Sequence, residues 1–475
     1  MHFKIIAFPF TFQQKKCNFR AIGKLNKNFD TMNNIKDYEL SACKDTMNKW
    51  MKRFGVKFGV HYKGAFKEQQ EPYDPIPHII SKKEWKYIEK GLKQRSYVLN
   101  KFLWDVYHDK HIVKDKIIPE ELIYSSKGYM PECEGIDPVH GVYTHIAGID
   151  LAQDSKGDWY IMEDKLRLPS GVSYPMIART VTEKVCPEIY KRNKKVVDNR
   201  NYLDLLKNMM DEMCNGRGEA VVLTPGRDNP TFYEHSFLAY KTGATLAFPG
   251  DLIIEDNCVY YSGLYNEKKR VGCIYRRVND EYIDPNMFKA SSVLGVPNIM
   301  ESYSKGNVSL INAVGNGVAD DKSIYYFIPK MIRYYLNEDP IIPNVNSYLP
   351  YYSEDINYIL DNISKLVIKD NTMVGGYGVI YGCNLSTAKV EELQRLIRKE
   401  PSRWIAEDMV DFKKLDIWED GTIARRRSDM RAFVINGKEP VVWKGALTRF
   451  TRDADSKTVN TPYGCGFKDT WIMED

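Results

Sequence analysis

The stretch AGIDLAQDSKGDWYIMEDKLRLPSG, residues 147–171, decides how the rest of the chain is read. Two strand-like runs flank the turn DSKGD, and a Pro-Ser-Gly reversal follows. Such a hairpin sets Asp150, at the start of one strand, beside Glu163, at the end of the other. Neighbouring carboxylates repel unless a cation or a proton sits between them, and magnesium does this when a triphosphate is present. Lys165 opposes that reading, because an ammonium repels a divalent ion. Either the site is not metallic or the lysine points elsewhere.

Around this hairpin lies a chain of 475 residues, 43% hydrophobic and 28% charged, enough for two or three packed units. Its 68 basic and 63 acidic residues leave a net charge of +5 with no long block of one sign, which argues against a nucleic-acid partner. No run approaches the roughly 18 apolar residues of a membrane span, so no membrane partner is expected either. Nine cysteines are scattered without a CxxC pair, which suggests neither a disulfide framework nor a zinc site and makes reduced cytoplasm the simplest compartment. Residues 1–35 are aromatic and basic, but their charge follows the apolar patch and no small-residue cleavage site is evident. A disordered extension is expected there. A homo-oligomer stays compatible with the sequence.

Apolar residues at three and four spacing predict a helical region over 36–125, with Ser81 as an N-cap. The hairpin segment occupies 126–200. Strands alternating with helices follow over 201–345 and favour an α/β layer. After the proline-bearing link NEDPIIPNVNSYLPYY, a last unit over 346–475 mixes strands with one amphipathic helix, STAKVEELQRLIRKE.

Several stretches carry chemistry. In KLVIKDNTMVGGYGVIYG, Lys369 ends a strand and Gly375, Gly376 and Gly378 form a tight connection. Glycines bring backbone N–H groups against phosphate oxygens, although a plain glycine hairpin accounts for the segment equally well. In SRWIAEDMVDF, a strand ends at Glu407 and Asp408. Its backbone suits an adenine edge and its acids a ribose, or else the acids merely cap a strand end. Asp429, Arg431 and Arg449 put charge at strand positions, where an arginine fork fits carboxylate or phosphate and a structural Asp429–Arg431 pair is the competitor. AVGNGVADDK sets a glycine turn before a helix with Lys322 one turn in, which favours an anion at the helix start. His140, His145 and His235 lack ligand spacing.

Taken together, EDKLRLPSGVSYPMIAR, VVLTPGRDNPTFYEHSFLA, YRRVNDEYIDP, VIKDNTMVGGYGV, RWIAEDMV, DMRAFVI, GALTR and VNTPYGCGFKDTW resemble the circularly permuted ATP-grasp proteins of type 2. The resemblance covers roughly residues 125 to 475. It implies a mixed α/β (α+β) ATP-grasp fold in permuted order, with a helical N-terminal region and a Rossmann-like pre-ATP-grasp unit. In an ordinary ATP-grasp chain the acidic hairpin comes last, whereas here Asp150 and Glu163 precede Lys369 by some two hundred residues.

The resemblance also implies an ATP-dependent ligase that joins a small-molecule carboxylate to an amine through an acyl phosphate, on an amino acid or small peptide. Its cofactors would be ATP and Mg2+. Lys369, Lys322 and the loop of Gly375, Gly376 and Gly378 would hold phosphates, and Glu407 with Asp408 the ribose and adenine. Asp150, Glu163 and Asn460 would hold the metal, and Arg431, Arg449, Arg276 and Arg277 would face the acyl phosphate or substrate carboxylates. The family usually has asparagine where Lys165 stands, arginine at Gln153, glutamine and glutamate at Glu407 and Asp408, and two glycines at Gly464 and Cys465. Lys165 is expected to replace one neutral metal ligand and to neutralise a phosphate itself. The rival reading is a nucleotide-binding regulatory or scaffold protein with little or no ligase turnover.

Overall fold

The computed structural model describes residues 37–474 apart from 54, 57, 63–64, 70–71, 188–189, 191–194, 264–267, 374–377, 458 and 460–463. The expectations for residues 1–35, Gly375, Gly376 and Asn460 lie outside the described residues.

The hairpin forms as strands Ile146–Gln153 and Trp159–Lys165 and joins a seven-stranded sheet. Beyond it come the long strand Thr422–Asn436, then Pro440–Phe450, Gly466–Ile472 and, at the edge, Tyr73–Ile80. Lys414–Glu419 pairs with the free half of the long strand. Residues from the two ends of the sequence thus share one sheet. Tyr73–Ile80 falls inside the segment read as helical. Pro75 and Pro77 obscure its alternation, and an edge position tolerates their missing donors.

Strand alternation divides this sheet into two faces. Ala147, Ile149 and Leu151 with Met430, Ala432 and Val434 share a core with the helix Lys82–Tyr107. That helix is capped by Ser81, whose hydroxyl accepts from the Glu84 N–H. On the opposite face, Ile146, Phe433, Ile435 and Trp443 pack with Tyr202, Leu206 and Met210 of helix Tyr202–Cys214. The strand positions that continue this second face, Asp429 and Arg431 on the long strand and Asp150 on the hairpin, are charged.

A four-stranded antiparallel sheet has the order Ser347–Tyr348, Trp404–Asp408, Leu366–Asp370, Val379–Tyr381. Leu366, Ile368, Trp404 and Ala406 pack under helices Ser353–Asn362 and Thr387–Lys399 through Ile359, Leu393 and Ile397. The alternate positions, Lys369 and Glu407, point away from that core.

A third sheet has a parallel centre of Thr245–Ala247, Glu219–Leu223, Lys268–Arg276 and Ser309–Ile311. Helix Phe232–Thr242 provides the crossover between the first two in sequence, a βαβ unit. Together the three sheets and their helices make a mixed α/β fold.

One expectation is overturned. Cys43, on helix Asp37–Arg53, is disulfide-bonded to Cys186, just past helix Ser173–Val185. The two lie 143 residues apart, so no spacing in the sequence announces the pair. No helix among the described residues is long and apolar enough to cross a membrane.

Candidate active site

The charged faces of the seven-stranded and four-stranded sheets border one open cleft of about 820 Å³. From the larger sheet come Asp150, Glu163, Lys165, Asp429, Arg431 and Arg449, and from the smaller Lys369, Glu407 and Asp408. Lys322 enters from the segment between them.

On the larger sheet, cross-strand register sets the charges in rows. Arg431 stands opposite Asp150, and Asp150 opposite Glu163. Arg449 stands opposite Asp429 in the next row. Arg431 grips Asp150 through both oxygens, Nε to Oδ1 at 2.6 Å and Nη2 to Oδ2 at 2.8 Å, and donates from Nη1 to the Ser170 carbonyl. Arg449 donates to both Asp429 oxygens, at 2.9 and 2.6 Å, and reaches Asp150 Oδ2 at 3.1 Å. The Asp429–Arg431 pair weighed from the sequence is therefore replaced by Asp429–Arg449, the direct cross-strand partner. Burial opposes ionisation of Asp150, yet the two guanidinium groups hold its carboxyl well below the usual carboxylate range. For Asp429 burial outweighs Arg449, and its pKa is pushed up to about 6.

Lys165 ion-pairs with Glu163 two residues back on the same strand face. Burial raises the Glu163 pKa, but the ammonium groups of Lys165 and Lys369 more than offset it, so Glu163 stays ionised. Across the cleft, Lys369 Nζ lies 2.5 Å from Glu407 Oε1. Burial depresses the lysine, but Glu407 and Glu163 raise it above its ordinary value, while burial pushes Glu407 up despite the lysine. Asp408 is engaged by the Asn346 amide at 3.0 Å and the Tyr348 hydroxyl at 3.1 Å. Lys322 donates to the Met373 carbonyl at 2.7 Å, and burial lowers its pKa.

Two expected contributions are not found. Arg276 is fully buried and is not among the residues that line the cleft. Its guanidinium donates to the carbonyls of Asn312, Ala313 and Val278 and pairs with Asp280 at 2.7 Å. The structure therefore gives Arg276 a structural partner set in place of a catalytic one. The glycine turn before Lys322 offers no open helix start: Asp321 caps that four-residue helix by accepting from the Ser323 N–H. Gly378 holds its connection by close approach. A Cβ there would lie 2.8 Å from the Met373 Cβ and 2.9 Å from that of Asp370. Among the histidines, His235 is a core residue bridged by the Thr224 and Thr231 hydroxyls.

The sequence reading missed Arg95, which clamps Asp164 through two 2.6 Å bonds and donates to Asn344 at 2.7 Å. A signal was present. Arg95 sits between Leu92 and Leu99 on the apolar face of its helix, where an arginine demands a buried partner. Arg427, two residues before Asp429 on the same strand face, also lines the cleft.

The carboxylates expected to hold magnesium are already engaged. Both oxygens of Asp150 accept from guanidinium groups, Glu163 carries its own ammonium, and Asp164 is consumed by Arg95. Among the described residues no group of three or more His, Cys, Asp or Glu side chains is arranged to hold a metal ion. The hairpin as built does not fit a resident divalent ion.

The family described as circularly permuted ATP-grasp type 2 matches residues 77–451. An uncharacterized protein of Synechocystis sp. is 40% identical over 426 residues, 88% of each chain. A protein of Frankia casuarinae named "Putative glutamate–cysteine ligase 2-2" is 33% identical over 84% of this chain, which spans 47% of that protein's length. Among solved structures, a glutathione synthetase-like effector of Globodera pallida has the same fold. The TM-score is 0.59 at 9% identity, covering 92% of this chain and 98% of that one. By the family match and its permuted order, with the acidic hairpin ahead of the lysine strand, the chain belongs to the circularly permuted ATP-grasp type 2 family.

Proposed function

We propose that the protein is an ATP-dependent carboxylate–amine ligase that forms a C–N bond through an acyl phosphate on an amino acid or small peptide. The observation that carries this reading is the cleft itself, where two sheets built from distant parts of the chain turn their charged faces to one space. The name of the Frankia relative supports an amino acid as substrate.

In this reading residues 126–200 and 346–475 form the ATP-grasp part and 201–345 the Rossmann-like part. Lys369 and Lys322 neutralise the phosphates, the connection ending at Gly378 closes over them, and Glu407 with Asp408 serves the nucleoside end. Arg449 keeps Nη1 without a partner among the described residues, so it presents a donor to the acyl phosphate or the substrate carboxylate. Arg431 orients that donor by sharing Asp150 with it. Phosphoryl transfer asks little more of a protein than position and charge, which this lining supplies. The amine then displaces phosphate from the acyl phosphate, forming the C–N bond as the acyl C–O bond breaks and a proton leaves the nitrogen.

Incubation with ATP, a panel of amino-acid carboxylates and a panel of amines, followed by ADP release, tests this. Release that requires both partners is expected. A second reading, a nucleotide-binding module without turnover, is favoured by one observation: Asp150, Glu163 and Asp164 of the hairpin strands are each already paired with one of the chain's own cations. Thermal stabilisation by ATP with no ADP release across both panels would select it.

A further inference from the structure

We propose that Lys165 is the built-in cation of the acid hairpin, so that the cleft binds ATP without a divalent ion held between Asp150 and Glu163. The inference rests on the nucleotide reading above and specifies how its triphosphate is neutralised.

Charge counting comes first. On the floor of the cleft three carboxylates, Asp150, Glu163 and Asp429, are paired with three cations, Lys165, Arg431 and Arg449, so these six groups sum to zero, and Arg427 on the same face adds a further positive charge. A divalent ion is drawn into a site by carboxylates that lack a cation, and Asp150, Glu163 and Asp429 each already have one. Geometry agrees with the count. Lys165 stands on the same strand face as Glu163, and its partly exposed ammonium borders the cleft. The residue opposite it in register is Gly148. With no side chain there, the stem of Arg431 passes through: a Cβ on Gly148 would lie 3.3 Å from the Arg431 Cδ. Guanidinium and ammonium therefore flank Asp150 and Glu163 on the side that faces the cleft.

An ammonium has three donors on a flexible stem, and Glu163 takes one of them. The remaining donors have no partner among the described residues and can turn to phosphate oxygens. Lys369, itself paired with Glu407, and Lys322 bring two more ammonium groups from the facing sheet and its neighbouring segment. A triphosphate thus meets cations on both walls without an ion of its own.

Calorimetric titration of the full chain with ATP, once in EDTA and once in excess Mg2+, provides the test, with Lys165→Asn and Lys165→Arg alongside. The wild type should bind metal-free ATP within about threefold of its affinity in Mg2+. Lys165→Asn should lose about tenfold or more in EDTA and recover in Mg2+, because the freed Glu163 then accepts the ion. Lys165→Arg, which keeps the charge, should stay close to the wild type. Wild-type binding that needs Mg2+, or an asparagine variant that binds metal-free ATP as the wild type does, overturns the proposal while leaving the ligase reading intact. Absence of ATP binding by the wild type under both conditions overturns the two together. Thermal unfolding of each variant establishes that it folds.

Discussion

Arg431 and Arg276 are both buried arginines at strand positions, and both were expected to face a substrate. The structure separates them by partner. Arg431 lies on a sheet face that runs out from under its covering helix into a cleft, and it meets carboxylates that are themselves cleft residues. Arg276 ends the central strand Lys268–Arg276 of the third sheet, where its donors go to the main-chain carbonyls of Asn312 and Ala313, just past the neighbouring strand, and of Val278, just past its own. A guanidinium that ties loop carbonyls together holds a fold, whereas one that shares a carboxylate with a second guanidinium holds a charge pattern. Burial alone does not distinguish them.

Replacing each arginine by alanine is the sharpest way to break this comparison. Arg276→Ala leaves Asp280 buried without its cation and three carbonyls without donors, and should cost about 3–5 kcal/mol of stability. Denaturant unfolding would show it, and the folded fraction should bind ATP as the wild type does. Loss of ATP affinity without loss of stability would return Arg276 to the cleft. Arg431→Ala leaves Asp150 with Arg449 alone, so its stability cost should be smaller, about 1–3 kcal/mol. Ligase turnover should fall by about 100-fold or more, read as ADP release, because the orientation of Arg449 goes with it. Lys369→Ala should be milder still for the fold, since Glu407, whose pKa burial already raises, can take a proton in place of the lost ammonium. Its effect belongs to the nucleotide: ATP affinity by calorimetry should fall about tenfold.

The same contrast marks what a reader of the sequence can reach. The hairpin of Asp150 and Glu163 was legible because turn residues and strand alternation fix its register, and the permuted family order was legible because many short stretches recur in sequence. Pairings between distant strands were not. Asp429 was weighed against Arg431 because they are neighbours in sequence, but same-face neighbours two apart lie farther from each other than a direct cross-strand partner does, and Arg449 is that partner. Arg276 and Arg277 were both expected to face a substrate, yet both are buried and neither lines the cleft, Arg277 donating to the Pro169 carbonyl. Lys165 was identified as anomalous, and the structure shows its ammonium on Glu163. Cys43 and Cys186 meet only because two helices pack, which neither segment encodes by itself.

The finest distinction lies within the floor of the cleft, between two aspartates that share Arg449. Asp150 has two guanidinium groups and stays ionised at every ordinary pH, whereas Asp429 has one and its pKa is pushed up to about 6 by burial. Because the folded-state value is raised, Asp429 stabilises the fold in its protonated form, and that contribution is lost as pH rises from the ordinary aspartate range, about 4, through about 6. For the ligand the sign is reversed from what a carboxylate usually gives. Acidification through pH 6 removes a negative charge from the floor, frees Arg449 and leaves a net cation facing the triphosphate. Wild-type affinity for ATP should therefore gain severalfold, about 3 to 5, between pH 7.5 and 5.5 relative to Asp429→Asn, which is neutral throughout. The nucleotide's own protonation affects both proteins equally, so the ratio of their affinities isolates the aspartate. A ratio that does not change with pH would mean that Arg449 keeps Asp429 ionised after all, and that the two aspartates differ in position but not in charge.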